Sequence, residues 1–155
     1  MRAVVSWSGG KDSALALYAV LRGGFEVVGL VTTVDLRSWV VTGHRVPVGL
    51  VELQARAVGL PLYTVGLPGD LPEAGVYEEA VLGVLSRLKR ELNIEYVVYG
   101  DVHLGDVMEY KRRLLERIGL KAVYPLEGLD PITLTDIALN LGFKAIIVAL
   151  DPTRV

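Results

Sequence analysis

A chain of 155 residues is about one domain of sequence, long enough to bury a sizeable core. Its 52% apolar content excludes disorder, and a formal charge of −2 argues against tight, unaided nucleic-acid binding. No apolar run reaches the length of a membrane span, no signal peptide precedes the first strand, and cysteine is absent, which excludes persulfide chemistry and thiolate-held iron; the expectation is a soluble, cytoplasmic protein.

In chain order, residues 3–5 read as a short buried strand, and residues 13–21 as a helix rich in Ala and Leu that stops at Gly23-Gly24. Residues 26–33 form a second apolar strand, completing a βαβ unit. Residues 35–46 read as a loop holding Arg37, Trp39, His44 and Arg45. Residues 47–59 read as a helix with Leu50, Leu53, Ala57 and Val58 on one side, followed by a strand over 61–65 and a loop over 67–72. The longest helix spans 73–92, with Ala80, Val81, Val84, Leu85 and Leu88 as its stripe. A strand over 95–99 ends at Gly100-Asp101. A helix over 105–118 points Val107, Leu114, Leu115 and Ile118 inward and Lys111, Arg112, Arg113 and Arg117 mostly outward. A short strand over 122–125, a helix opened by Asp130-Pro131 and running to Leu141, and a final strand over 145–150 complete the chain.

This alternation predicts a single α/β domain over residues 1–155, with a doubly wound, mainly parallel sheet of five to six strands. Ligands of such sheets bind beyond the carboxyl ends of the strands. Three segments lie at that edge: Ser8 to Ser13 after the first strand, Thr32-Thr33 after the second, and Gly100-Asp101 after the fourth.

The first of these, Ser8-Gly9-Gly10-Lys11-Asp12-Ser13, joins a strand to a helix through a glycine turn. That geometry exposes backbone N–H groups and the positive end of a helix dipole to one point. Lys11 adds a cation suited to phosphate, and the hydroxyls of Ser8 and Ser13 add donors. A carboxylate at Asp12 beside a phosphate suggests Mg²⁺ between the two. A Walker A loop would need Gly where Val5 stands and Ser or Thr where Asp12 stands, and the third glycine of a dinucleotide loop is missing. The plainer reading of the segment is a turn in which Asp12 or Ser13 caps the helix. Asp101 likewise either holds Mg²⁺ or orients a substrate amine, or simply begins a turn, and Asp106 either serves the site or complements its helix dipole. His44 is either a ligand contact or a surface residue, and the run from Lys111 to Arg113 is most simply a solvated face, with Arg113 nearest in prospect to the site. Trp7 and Trp39 either cover a ligand or pack.

The loop Ser8–Ser13 resembles the pyrophosphate loop (PP-loop) of the ATP pyrophosphatases. The resemblance extends along nearly the whole chain, in order. It includes Gly43-His44-Arg45-Val46, the stretch from Leu53 to Leu62, Tyr77-Glu78-Glu79-Ala80, the stretch from Tyr99 to Asp106, Tyr110-Lys111-Arg112-Arg113, and Tyr124-Pro125-Leu126. Together these are similar to the diphthine–ammonia ligases and their bacterial and archaeal relatives. The resemblance implies a Rossmann-like HUP domain, ATP and Mg²⁺ as cofactors, and conversion of the diphthine carboxylate of elongation factor 2 to its amide with ammonia. Two departures stand out. The family continues with a segment carrying a Gly-Glu-Asn-Gly-Glu-like motif, whereas this sequence stops at Val155, and Glu127 stands where the family commonly has Trp. The resemblance thus carries ATP binding further than it carries the acceptor.

On that basis Lys11, Asp12 and Asp101 are the expected catalytic residues, with Asp12 and Asp101 holding Mg²⁺. Ser8, Gly9, Gly10, Lys11, Asp12, Ser13, Val31, Thr32 and Gly100 are expected to bind ATP, with backbone groups around residues 30–32 on adenine. His44, Glu79, Asp106 and Arg113 are the candidates for acceptor contact. The expected partners are ATP, elongation factor 2 and ammonia, with no membrane and no strong nucleic-acid partner. Exposed Tyr and Val in the second half could support a homodimer. Two other readings stand beside the ligase: a nucleotide-binding sensor or scaffold without chemistry, and a PP-loop enzyme acting on another acceptor such as tRNA.

Overall fold

Ala3, Val4 and Val5 have no exposed surface, so the first strand must be covered on both faces. In the computed structural model, which describes residues 1–70, 72–103, 105–148 and 153, that strand is β1 (Arg2–Ser6), in the middle of the sheet. It pairs in parallel with β2 (Glu26–Asp35) on one side and β5 (Tyr96–Val98) on the other. Beyond β5 lies β6 (Lys121–Val123), also parallel. β2 is longer than β1, and its last six residues pair in parallel with β4 (Leu62–Leu67) along the opposite edge. The end of β2 that β1 leaves free takes a two-residue antiparallel strand, β3 (Val40–Val41), through Val34 and Asp35. The parallel order is therefore β4-β2-β1-β5-β6, and the chain reverses its winding between β1 and β5. The carboxyl ends of those two strands form the switch-point crevice.

Among the described residues five helices cover the two faces. Alternate residues of β1 point oppositely, so Ala3 and Val5 join one core cluster and Val4 joins the other. The first cluster packs α1 (Lys11–Arg22), α2 (Val48–Val58) and α5 (Pro131–Asn140) through Leu15, Ala16, Val20, Val48, Val51, Ala55 and Leu134. The second packs α3 (Ala74–Leu92) and α4 (Gly105–Glu116) through Val81, Leu85, Leu88, Met108 and Leu115. This is the expected doubly wound α/β architecture, with six strands among the described residues. Among the described residues no helix is long and apolar enough to cross a membrane.

Five local expectations change. The 35–46 segment holds β3 and is not loop throughout. The helix after the first strand begins at Lys11, with Gly10 as its cap, so neither Asp12 nor Ser13 caps it. In α2 the buried face is Val48, Val51 and Ala55, whereas Leu50, Leu53 and Val58 are exposed. α2 is apolar on several sides, so periodicity alone does not choose the inner one. In α4, Met108 is buried and Val107 is exposed, so the inward stripe runs Met108, Lys111, Leu115 at helical spacing. The final strand is absent over the described part of its range: Ala145 to Val148 form no ladder, and Ile146 is 88% exposed. Residues 149 and 150 of that expected strand lie outside the described residues. An apolar, β-branched run has strand propensity, but a strand also needs a neighbour for its backbone groups.

Candidate functional site

β1 ends at Ser6, and the chain leaves the sheet with the Trp7 amide still donating to the Val31 carbonyl at 2.7 Å. The turn that follows is held from within and from behind. Inside it, the Gly10 amide donates to Ser8 Oγ at 3.3 Å, and Ser13 Oγ donates to the Gly10 carbonyl at 2.9 Å. Behind it stands Gln54 of α2. Its Oε1 accepts from Trp7 Nε1 at 3.0 Å, and its Nε2 donates to the Gly9 carbonyl at 3.1 Å. Gly9 has a φ of +81°, and a Cβ there would lie 2.8 Å from Gln54 Oε1 and 2.9 Å from Val51 Cγ1. Both its conformation and its space therefore require glycine. The first amides of α1 have no partner within their helix by construction, and the Gly10 cap offers no side chain to them.

The end of β5 presses on the same helix turn. A Cβ on Gly100 would stand 2.8 Å from the carbonyl carbon and oxygen of Asp12. Asp101 follows directly, with its Oδ2 2.5 Å from Lys111 Nζ. That ammonium sits 4.6 Å from the centroid of the Tyr99 ring. Tyr99 stacks on Tyr124 at 5.6 Å, and the Tyr124 hydroxyl donates to the Met108 carbonyl of α4 at 3.0 Å. A second pair joins Lys11 Nζ to Asp12 Oδ1 at 2.6 Å. Burial pushes the phenol of Tyr99 well up and that of Tyr77 up, and the Asp101 charge adds to both. These rings stay neutral at physiological pH and line the cavity.

Between these groups lies a cavity of about 650 Å³. The loop and α1 form its floor through Ser8, Gly10, Lys11, Asp12 and Ser13, and Gly100, Asp101 and Lys111 form one wall. The opposite wall is Thr32, Thr33 and Thr42, with His44 at the rim. Thr33 and Thr42 share a hydrogen bond between hydroxyls at 2.5 Å, which ties β2 to the segment after β3. Thr32 is 3% exposed, and its Oγ1 is the one buried side-chain polar atom among the described residues without a hydrogen-bond partner. A buried hydroxyl left unpaired is costly, and in a cavity wall it awaits a ligand or water.

Of the residues expected at the site, the structure brings Ser8, Gly10, Lys11, Asp12, Ser13, Thr32, Gly100, Asp101 and His44 to this cavity. Gly9 turns its back to it, against Gln54. Val31 is buried in the core and does not line it. Glu79 and Asp106 are exposed and outside the lining. Arg113 is also outside: its side chain is 75% exposed and pairs with Glu109 at 2.9 Å. It lies two residues from Lys111, about 200° around the helix, so when Lys111 turns in, Arg113 turns out. Trp7 lines the cavity as well as packing, whereas Trp39 is half exposed and outside it. Lys111, Tyr77, Tyr99 and Gln54 were not foreseen at the site. For Lys111 the sequence did hold a signal, since it stands three residues after Met108 and four before Leu115.

On the far side of the loop runs a second, more apolar groove of about 600 Å³, formed in part by Leu50, Val58, Phe143 and Ile146.

Among the described residues no cluster of three or more acidic or imidazole side chains could hold a metal by itself. Asp12 and Asp101 both line the cavity, each paired with a lysine, and carboxylates of this number are what a magnesium ion would take beside phosphate and water.

Comparison with known proteins follows the same lines. The family model described as diphthamide synthase N-terminal domain matches residues 1–122. No curated protein matches the sequence. Among solved structures, a predicted tRNA methyltransferase subunit from Methanocaldococcus jannaschii is 20% identical with a TM-score of 0.58, over 90% of this chain and 76% of that one. The U34-tRNA thiolase NcsA from Methanococcus maripaludis, solved with its iron–sulfur cluster, is 16% identical with a TM-score of 0.57, over 98% of this chain. This chain covers 59% of that thiolase's length, and its own 155 residues contain no cysteine to ligate such a cluster. At these identities the likeness is one of fold.

Proposed function

Because the chain belongs to the diphthamide synthase N-terminal domain family of PP-loop proteins, we propose that it is an ATP pyrophosphatase that adenylates a carboxylate and passes it to ammonia. The acceptor in this reading is the diphthine carboxylate of elongation factor 2. One observation carries the nucleotide part. Lys11, Asp12 and Ser13, whose amides open α1, line one cavity, and Thr32, whose buried hydroxyl has no partner, lines it too. A polyphosphate with a nucleoside attached supplies acceptors for the amides and the Lys11 ammonium and a polar partner for the Thr32 hydroxyl.

An amide cannot form directly from a carboxylate, whose oxygen is a poor leaving group. Attack of that oxygen on the α-phosphorus of ATP makes a new P–O bond and breaks the bond to the bridging oxygen, and pyrophosphate leaves. The loop amides and Lys11 stabilise the charge that grows on the leaving group, and they are already oriented before it forms. A magnesium ion, when bound, supplies charge neutralisation between phosphate and protein, and Asp12 and Asp101 are the residues that would hold it. Ammonia then attacks the acyl carbon, AMP departs, and the proton passes to water.

The test is incubation with Mg-ATP, ammonium and a diphthine-bearing elongation factor, followed by mass spectrometry of the factor. Amide formation that requires ATP and ammonium supports the ligase. Turnover to AMP without the factor keeps adenylation and moves the acceptor elsewhere, tRNA included. Nucleotide binding without any turnover makes the domain a sensor.

A further inference from the structure

We propose that Lys111 is a second anion-binding cation of this cavity, held ready by Asp101 and released to the phosphates when they arrive. The inference rests on the reading of the cavity as a nucleotide site, and adds a residue that the loop motif does not mark.

The pair is unlike the others on the surface. With side chains 18% and 23% exposed, Lys111 and Asp101 form the least exposed ion pair among the described residues, and both line the cavity. The ammonium has three donors, and Asp101 takes one at 2.5 Å. The face of Tyr99 attracts the charge without using a hydrogen bond. Donor capacity therefore remains for a ligand. The Lys111 stem is set by its place on the buried stripe of α4, between Met108 and Leu115. Gly100, the residue before Asp101, packs against the first turn of α1, so Lys111 reaches the cavity from α4 and Lys11 from the start of α1. A phosphate carries more charge than a carboxylate and competes for the same ammonium.

The two partners then act in opposite directions on an anion. Lys111 attracts it, while Asp101 both repels it and occupies the lysine. A merely structural ion pair would behave otherwise, since loss of either partner would disturb the site alike.

The test is calorimetric titration with ATP in the absence of divalent cations. The chains compared are the wild type, Lys111→Met, Lys111→Arg and Asp101→Asn, each checked for folding by thermal melting. Lys111→Met is expected to weaken ATP by about tenfold or more, the usual cost of a lost charged hydrogen bond. Lys111→Arg is expected to retain most of the affinity. Asp101→Asn is expected to tighten ATP, a gain that misfolding cannot produce. Unchanged or weaker binding in Asp101→Asn overturns the proposal, as does unchanged binding in Lys111→Met. A wild-type chain that binds neither ATP nor pyrophosphate overturns the nucleotide reading itself, and this inference with it.

Discussion

Gly100 and Asp12 meet backbone to backbone: a Cβ on Gly100 would stand 2.8 Å from the Asp12 carbonyl. The end of β5 and the first turn of α1 are thereby fixed against each other, and with them the two carboxylates of the cavity. Gly100→Ala must force these elements apart. Overpacking of this kind costs about 1–3 kcal/mol. Urea unfolding is expected to show that loss, and ATP titration a matching loss of affinity. Gly83 on α3, whose Cβ would meet nothing within 4 Å, is the control. Gly83→Ala is expected to stabilise by about 0.5–1 kcal/mol, as in any exposed helix interior.

Gln54 joins α2 to the loop through both ends of its amide. Gln54→Leu removes two hydrogen bonds and leaves the Trp7 indole N–H unpaired in a residue only 5% exposed. Each such loss is worth about 1–3 kcal/mol. The variant is expected to melt at lower temperature and to bind pyrophosphate more weakly, because the Gly9 carbonyl is no longer tethered. Unchanged pyrophosphate affinity would show that the tether does not shape the loop.

The two sides of α2 are expected to respond oppositely to mutation. Val51 is fully buried, and Val51→Ala is expected to cost about 1–3 kcal/mol through lost packing. Leu53 is 60% exposed, and Leu53→Lys is expected to change stability by no more than about 0.5 kcal/mol. Denaturant melts of the two variants decide between the observed buried face and the one that periodicity suggested.

That contrast marks where the sequence was legible. β1, the loop and α1 were readable because strand, glycine turn and helix follow one another locally within about twenty residues. The doubly wound order followed from the alternation of apolar runs with amphipathic ones. The inner side of α2 was not readable, because Leu50, Leu53 and Val58 compete with Val48 and Val51 for it and only tertiary packing decides. Lys111 was hidden by composition: a Lys-Arg-Arg run reads as solvated until the stripe of Met108 and Leu115 is extended through it. Arg113 failed for the same reason in reverse, since its neighbours on the helix face solvent. Residues 145–148 have the composition of a strand, but no neighbouring strand pairs with them.

Four of the seven tyrosines, Tyr77, Tyr99, Tyr110 and Tyr124, have phenols raised above the ordinary value of 10.0, chiefly by burial, and Tyr110 is pushed up to about 12. A raised phenol keeps its proton in the folded chain at a pH where the unfolded chain has lost it. Stability from these groups is therefore complete below about pH 10 and falls as pH rises from there. Ultraviolet titration is expected to show fewer ionised phenols in the folded protein than in urea, and Tyr99→Phe to flatten the alkaline loss of stability. Coincident titration curves with and without urea would contradict this.

The central claim is that the loop from Ser8 to Ser13 holds the pyrophosphate of ATP while the α-phosphorus reacts. The most direct measurement uses ATP labelled at its α-phosphate, incubated with magnesium, ammonium and the diphthine-bearing factor, with the labelled products separated. Labelled AMP, released with pyrophosphate and lost in Lys11→Met and Asp12→Asn, is the expected result. Labelled ADP, released with orthophosphate and dependent on the same loop residues, would place the cleavage at the wrong bond and contradict the account.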